Sequence, residues 1–117
     1  DDAAMSGYYR MLHPAVLRAL RRVIEASNAA GIPSIVCGEM ASDPVHVAML
    51  IGLGYDRFSM TPTSIGLIKR VISALDRGQA IEIANALLEE GYDEGRAIRI
   101  GIAKAKEWAI RRDIPLE

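Results

Sequence analysis

The chain has 117 residues, of which 50% are apolar, 25% charged and 5% aromatic. That composition excludes a disordered, collagen-like or mucin-like chain and bounds it to a single domain, 1–117, of ordinary globular type. Fourteen Lys and Arg oppose fifteen Asp and Glu for a net charge of −1, so no global field draws in nucleic acid or an anionic membrane.

The longest apolar stretch, Val45 to Tyr55, is about half the ~20 residues that a membrane-spanning helix needs, and no membrane partner is expected. The one cysteine, Cys37, cannot build an internal disulfide framework, and no basic leader precedes an apolar run. Both features point to a reducing cytoplasm.

In chain order, His13-Pro14 is followed by Val16, Leu17, Leu20, Val23 and Ile24, the recurrence of an amphipathic helix with proline in its first turn. This predicts a helix over about 14–30, stopped by Gly31 and Pro33. Ser34 to Gly38 is a short apolar run with β-branched members and reads as a buried strand. Ser42-Asp43-Pro44 offers a capping side chain followed by proline, predicting a second helix over about 44–53. Arg57 to Met60 is the next strand candidate, and Thr61 to Ser64 brings capping chemistry again. A third helix, about 64–76, carries Ile65, Ile68, Ile72 and Leu75 on one face.

Helix, strand, helix, strand, helix with short connections is the pattern of βα packing with parallel strands, so the fold class is α/β. From Arg77 the composition changes. Gln79 to Glu90 is an amphipathic helix, Gly91 to Gly95 a turn, and a further segment runs to about Arg112. Ile98, Ile100 and Ile102 alternate as a strand would, but the Ala, Lys, Glu and Arg content of 103–112 favours helix. The chain therefore divides into a βα segment, 1–76, and a helical hairpin, 77–117.

Cys37-Gly38-Glu39-Met40-Ala41-Ser42-Asp43-Pro44 places a thiol, a carboxylate and a helix start in one strand-to-helix turn. Strand C-terminal ends are where α/β folds place ligands. Gly38 allows close backbone approach, and free N–H groups after Asp43 would hold an anion. The competing readings are a Cys37 that is inert core and a Glu39 and Asp43 that are solvated loop and cap residues.

His13-Pro14-Ala15-Val16-Leu17, then Val36 to Pro44, then Gly52 to Pro62, in that order and spacing, resemble the phosphoenolpyruvate-utilising enzymes. Enzyme I of the bacterial sugar phosphotransferase system and its nitrogen-related paralogue are the members most resembled, over about residues 5–75. The resemblance implies the last quarter of a (β/α)8 barrel, with two βα units ending at the barrel mouth. It implies that Cys37 is the acid protonating the methylene carbon of enolpyruvate. Gly38 and Glu39 are then substrate-binding, and Ser59 to Ser64 line the rim.

In that family, phosphate-binding arginines, an Asn-Asp pair and another acidic ligand hold phosphate and magnesium, and a histidine on a separate domain relays the phosphoryl group. None of these is matched here, and neither His13 nor His46 corresponds to the phosphorylated histidine. The expectation is a chain with no cofactor of its own, weak phosphoenolpyruvate binding at most, and no turnover alone. A complete barrel takes about 250 residues. Residues 79–112 are therefore expected to cover the exposed apolar surface, unless the chain forms a homo-oligomer.

The C-terminal third resembles a small helical bacterial family of uncharacterised function, which would make the chain a natural fusion or a designed chimera. A non-catalytic scaffold or interaction domain is the alternative function.

Overall fold

A computed structural model describes residues 12–88, 103, 106, 107 and 110–114. Helix α1 (Pro14–Ala30) begins with Pro14, which has no N–H to leave unpaired, and with the His13 ring, whose Nδ1 accepts from the Ala15 N–H at 3.1 Å. It ends at Gly31, held at φ +66°, where the Gly31 and Ile32 N–H groups donate back to Asn28 and Ser27 carbonyls. The stripe that faces inward is narrower than the sequence pattern suggests. Leu17 and Ile24 are buried, whereas Val16 and Val23 are exposed.

Strand β1 (Val36–Cys37) pairs in parallel with β2 (Phe58–Ser59), Val36 opposite Phe58 and Cys37 opposite Ser59. Between them run a 3-10 turn (Glu39–Ser42) and α2 (Pro44–Leu53), and α3 (Pro62–Ala74) follows β2. The parallel pairing agrees with the sequence pattern. The buried strand does not: Val36 is half-buried, while Ile35 and Cys37 are exposed. The physical reason is that each strand has a single neighbour among the described residues, which leaves an open edge on either side.

Helix α2 is the centre of the fold, and its residues Val45 to Leu50 are all buried. A helix apolar on every side must be covered on every side. On one side α1 and α4 (Arg77–Leu88) supply Leu17, Ile24, Ile83 and Leu87. On the other, α3 supplies Ile68 and Val71, joined by Ile114. The face expected for α3 is thus rotated: Ile68 lies in the core, but Ile65 and Ile72 are exposed beside the free edge of β2. Tyr55, just past α2, donates its hydroxyl to the Leu20 carbonyl at 2.8 Å and ties the end of α2 to α1.

Helices α2 and α4 cross closely at Gly52. A Cβ built on Gly52 would fall 2.0 Å from the Ala80 carbonyl oxygen, so only glycine permits this crossing. Arg112 reaches Gln79 on α4, and Arg70 on α3 reaches the Asp113 carbonyl, which anchors residues 110–114. Residues 103, 106, 107 and 110 are helical, in line with the helix reading of that segment. The turn expected over 91–95 lies outside the described residues. No described helix is long and apolar enough to cross a membrane.

Candidate active site

The C-terminal ends of the two parallel strands open into one cleft of about 700 Å³. Cys37 and Ser59, opposite each other in the strand register, form its floor. The first wall is the turn after β1, with Gly38, Glu39, Ser42, Asp43 and Pro44. The second is the loop after β2 and the start of α3, with Met60, Thr61, Ser64 and Leu67.

The candidate residues Cys37, Gly38 and Glu39 are therefore brought together with Ser59, Met60, Thr61 and Ser64. Leu67 was not singled out from the sequence. The signal for Leu67 was available, since it stands one helical turn beyond Ser64 and shares its face.

Cys37 is exposed and reduced. The reading of it as inert core is thereby overturned, because a two-stranded sheet gives a strand-end side chain no second layer to sink into. Gly38 adopts φ +80° and ψ −157°, a backbone state open to glycine and strained for other residues. The turn it starts closes on its own carbonyl, which accepts from the Ala41 N–H at 3.1 Å and from the Ser42 hydroxyl at 3.3 Å.

The anion site expected after Asp43 is absent from this arrangement. Asp43 Oδ1 accepts from the N–H groups of Val45 at 2.8 Å and His46 at 3.0 Å, and Pro44 has no N–H. Its carboxylate also puts a negative charge where an anion would sit. The same oxygen lies 3.4 Å from Nδ1 of His46, a helix residue that is only 3% exposed. Burial pushes the His46 pKa below its ordinary 6.5, with the Asp43 charge pulling the other way. His13 caps α1 and does not line the cleft.

On the opposite wall Thr61 Oγ1 lies 3.2 Å from both Thr63 Oγ1 and Ser64 Oγ. The cleft is thus rich in hydroxyls, contains two carboxylates, and is lined by no Lys, Arg or His among the described residues. It can offer a thiol proton and neutral hydrogen-bond donors to a ligand, but no positive charge. Nor do three His, Cys, Asp or Glu side chains converge to hold a metal among the described residues.

Residues 1–77 match the family described as PEP-utilising enzyme, PEP-binding domain. The chain belongs to the PEP-utilising enzyme family. This PEP-binding-domain member is 42% identical over 85 residues to the phosphoenolpyruvate-protein phosphotransferase of Staphylococcus epidermidis, a match that takes in 73% of the chain and 15% of that protein. It is 40% identical over 85 residues to the Staphylococcus carnosus protein of the same name, with the same coverage. Over 89 residues it is 39% identical to an Escherichia coli protein named phosphoenolpyruvate-dependent phosphotransferase system, covering 76% of this chain and 12% of that one.

The chain thus spans less than a fifth of the length of the relatives it matches. A match of 85 residues also runs past residue 77, so it takes in much of α4.

Proposed function

We propose that this family member is the closing piece of a phosphoenolpyruvate-protein phosphotransferase barrel, two βα units that supply the proton donor of the site. The observation that carries this reading is the meeting of Cys37, Gly38 and Glu39 with the loop after β2 in one cleft. Barrel enzymes assemble their sites at such strand ends, from several strands at once.

In the proposed step, the enolate left after phosphoryl departure draws a proton from Cys37. The S–H bond breaks, a C–H bond forms at the methylene carbon, the enolate oxygen becomes the keto oxygen of pyruvate, and a thiolate remains. Gly38 and Glu39 shape the pocket around that carbon.

The phosphate and carboxylate of the substrate need positive charge, which the described walls do not offer. Those clamps, and any metal, belong in this reading to further barrel strands. The open edges of β1 and β2 are where such strands would pair. Exposed Ile35 beside the first, and Ile65 and Ile72 near the second, are apolar surface that they would cover. Helix α4 packs outside α2 and completes the unit as one domain, 1–117.

The test is titration of the chain with phosphoenolpyruvate, with and without magnesium, while Cys37 is alkylated and amide resonances are followed. Slow, concentration-dependent protection of Cys37 with shifts confined to residues of the cleft is expected, without turnover. Unchanged alkylation at every concentration, with shifts elsewhere, would overturn the assignment of the site.

A further inference from the structure

We infer that Ser42 is a positioning residue for the Cys37 thiol, an inference that rests on the reading of Cys37 as the proton donor. The turn that follows the thiol is packed at its far half, where Ala41 is buried and Met40 lies against the core, but not at its first residue. A Cβ built on Gly38 would meet nothing within 4 Å, so the residue after the cysteine sits in open space. Gly38 also has the widest conformational freedom of any residue type. What fixes its peptide is the pair of hydrogen bonds to its carbonyl, from the Ala41 N–H and from the Ser42 hydroxyl.

Ser42 is the member of this pair whose side chain ties the Gly38 carbonyl to the start of α2. It immediately precedes Asp43, whose carboxylate is held by two N–H groups at the start of α2, and α2 is buried from Pro44 to Leu50. The path therefore runs from the thiol through the Gly38 carbonyl and the Ser42 side chain to the most buried helix of the fold. Only a side chain with a donor at this position completes it. A proton donor must be held in register with the carbon it protonates, and a loosely tethered thiol gives up part of that advantage.

The experiment uses the full chain, in which Cys37 is the only cysteine, with Ser42→Ala and Ser42→Thr variants. Two quantities are read in each: hydrogen exchange of the Ala41 amide, and the rate of Cys37 alkylation by iodoacetamide at a pH high enough to ionise the thiol fully. Loss of one modest hydrogen bond corresponds to roughly a two- to fivefold change. Faster exchange at Ala41 and faster alkylation by about that factor are expected in Ser42→Ala, with wild-type values restored in Ser42→Thr and a thermal midpoint lower by no more than about 4 °C.

Ser42→Ala indistinguishable from wild type in both readouts would overturn the inference, as would a change that Ser42→Thr fails to reverse. Repeating the alkylation with phosphoenolpyruvate present separates the two ideas. If the parent reading fails, the ligand protects none of the three proteins while the Ser42 differences persist. If only the Ser42 inference fails, protection is seen and the variants behave alike.

Discussion

Replacing Gly52 with alanine tests the packing that joins α4 to the family unit. The new methyl would lie 2.0 Å from the Ala80 carbonyl oxygen, 2.6 Å from its carbonyl carbon and 2.8 Å from the Ala84 Cβ. Two of these atoms are helical backbone and cannot rotate away, so α4 must retreat by roughly 1.5 Å to restore ordinary contact. Overpacking of this kind costs about 1–3 kcal/mol, and backbone obstruction puts Gly52 at the upper end. Alanine returns about 1 kcal/mol of helix propensity, for a net loss of roughly 2 kcal/mol. In a chain of this size that corresponds to a fall in Tm of about 8 °C.

Gly66 on α3 supplies the control, since a Cβ there meets nothing within 4 Å. Gly66→Ala should therefore gain up to about 1 kcal/mol from propensity alone. Thermal and urea unfolding followed by circular dichroism measure both. A Gly52→Ala protein as stable as Gly66→Ala would refute the α2–α4 crossing.

Asp43→Ala should cost about 1 kcal/mol in urea unfolding through loss of the α2 cap, and Asp43→Asn, which keeps an accepting oxygen, markedly less. His46 has a folded pKa below its unfolded value of 6.5, so the unfolded chain takes up its proton first as the pH falls. Stability should then decline below about pH 6.5, by at most ~1.4 kcal/mol per pH unit. His46→Gln should flatten that slope in urea titrations, and a slope unchanged in the variant would remove His46 as its source. Tyr55→Phe removes the hydroxyl bond to Leu20 and should lower stability by about 1 kcal/mol. Burial raises the Tyr55 pKa above 10.0, so the unfolded chain loses that proton first, and the wild type should lose stability above about pH 10 where the variant does not.

The sequence makes α1 and α2 legible to their ends because the terminators are local. His13-Pro14 and Asp43-Pro44 start them, and Gly31 and Gly54 finish them in left-handed conformations. The start of α3 was displaced by two residues. Thr61 ends up before the first turn with Pro62 inside it, while Leu75 is already extended. The expected faces of α1 and α3 were too wide for a related reason. Spacing alone cannot tell which flank of an apolar stripe finds a neighbour, and Val16, Val23, Ile65 and Ile72 lie on flanks left exposed.

At the site, the order of motifs located the cleft, since both turns follow strands that pair in parallel. It could not show that Asp43 occupies the N–H groups an anion would need, because that depends on one carboxylate rotamer. The contact at Gly52 was equally hidden. It arises between α2 and a helix that begins more than twenty residues later.

The central claim is that Cys37 delivers the proton in a barrel of which this chain forms one part. It is tested most directly by exchanging residues 1–77 of this chain for the matching stretch of the Staphylococcus epidermidis phosphotransferase. Pyruvate release is then measured with Cys37 and with Cys37→Ala. The first hybrid should form pyruvate, and the second should lose about 10²-fold or more of that rate. Equal rates in the two hybrids would contradict the claim.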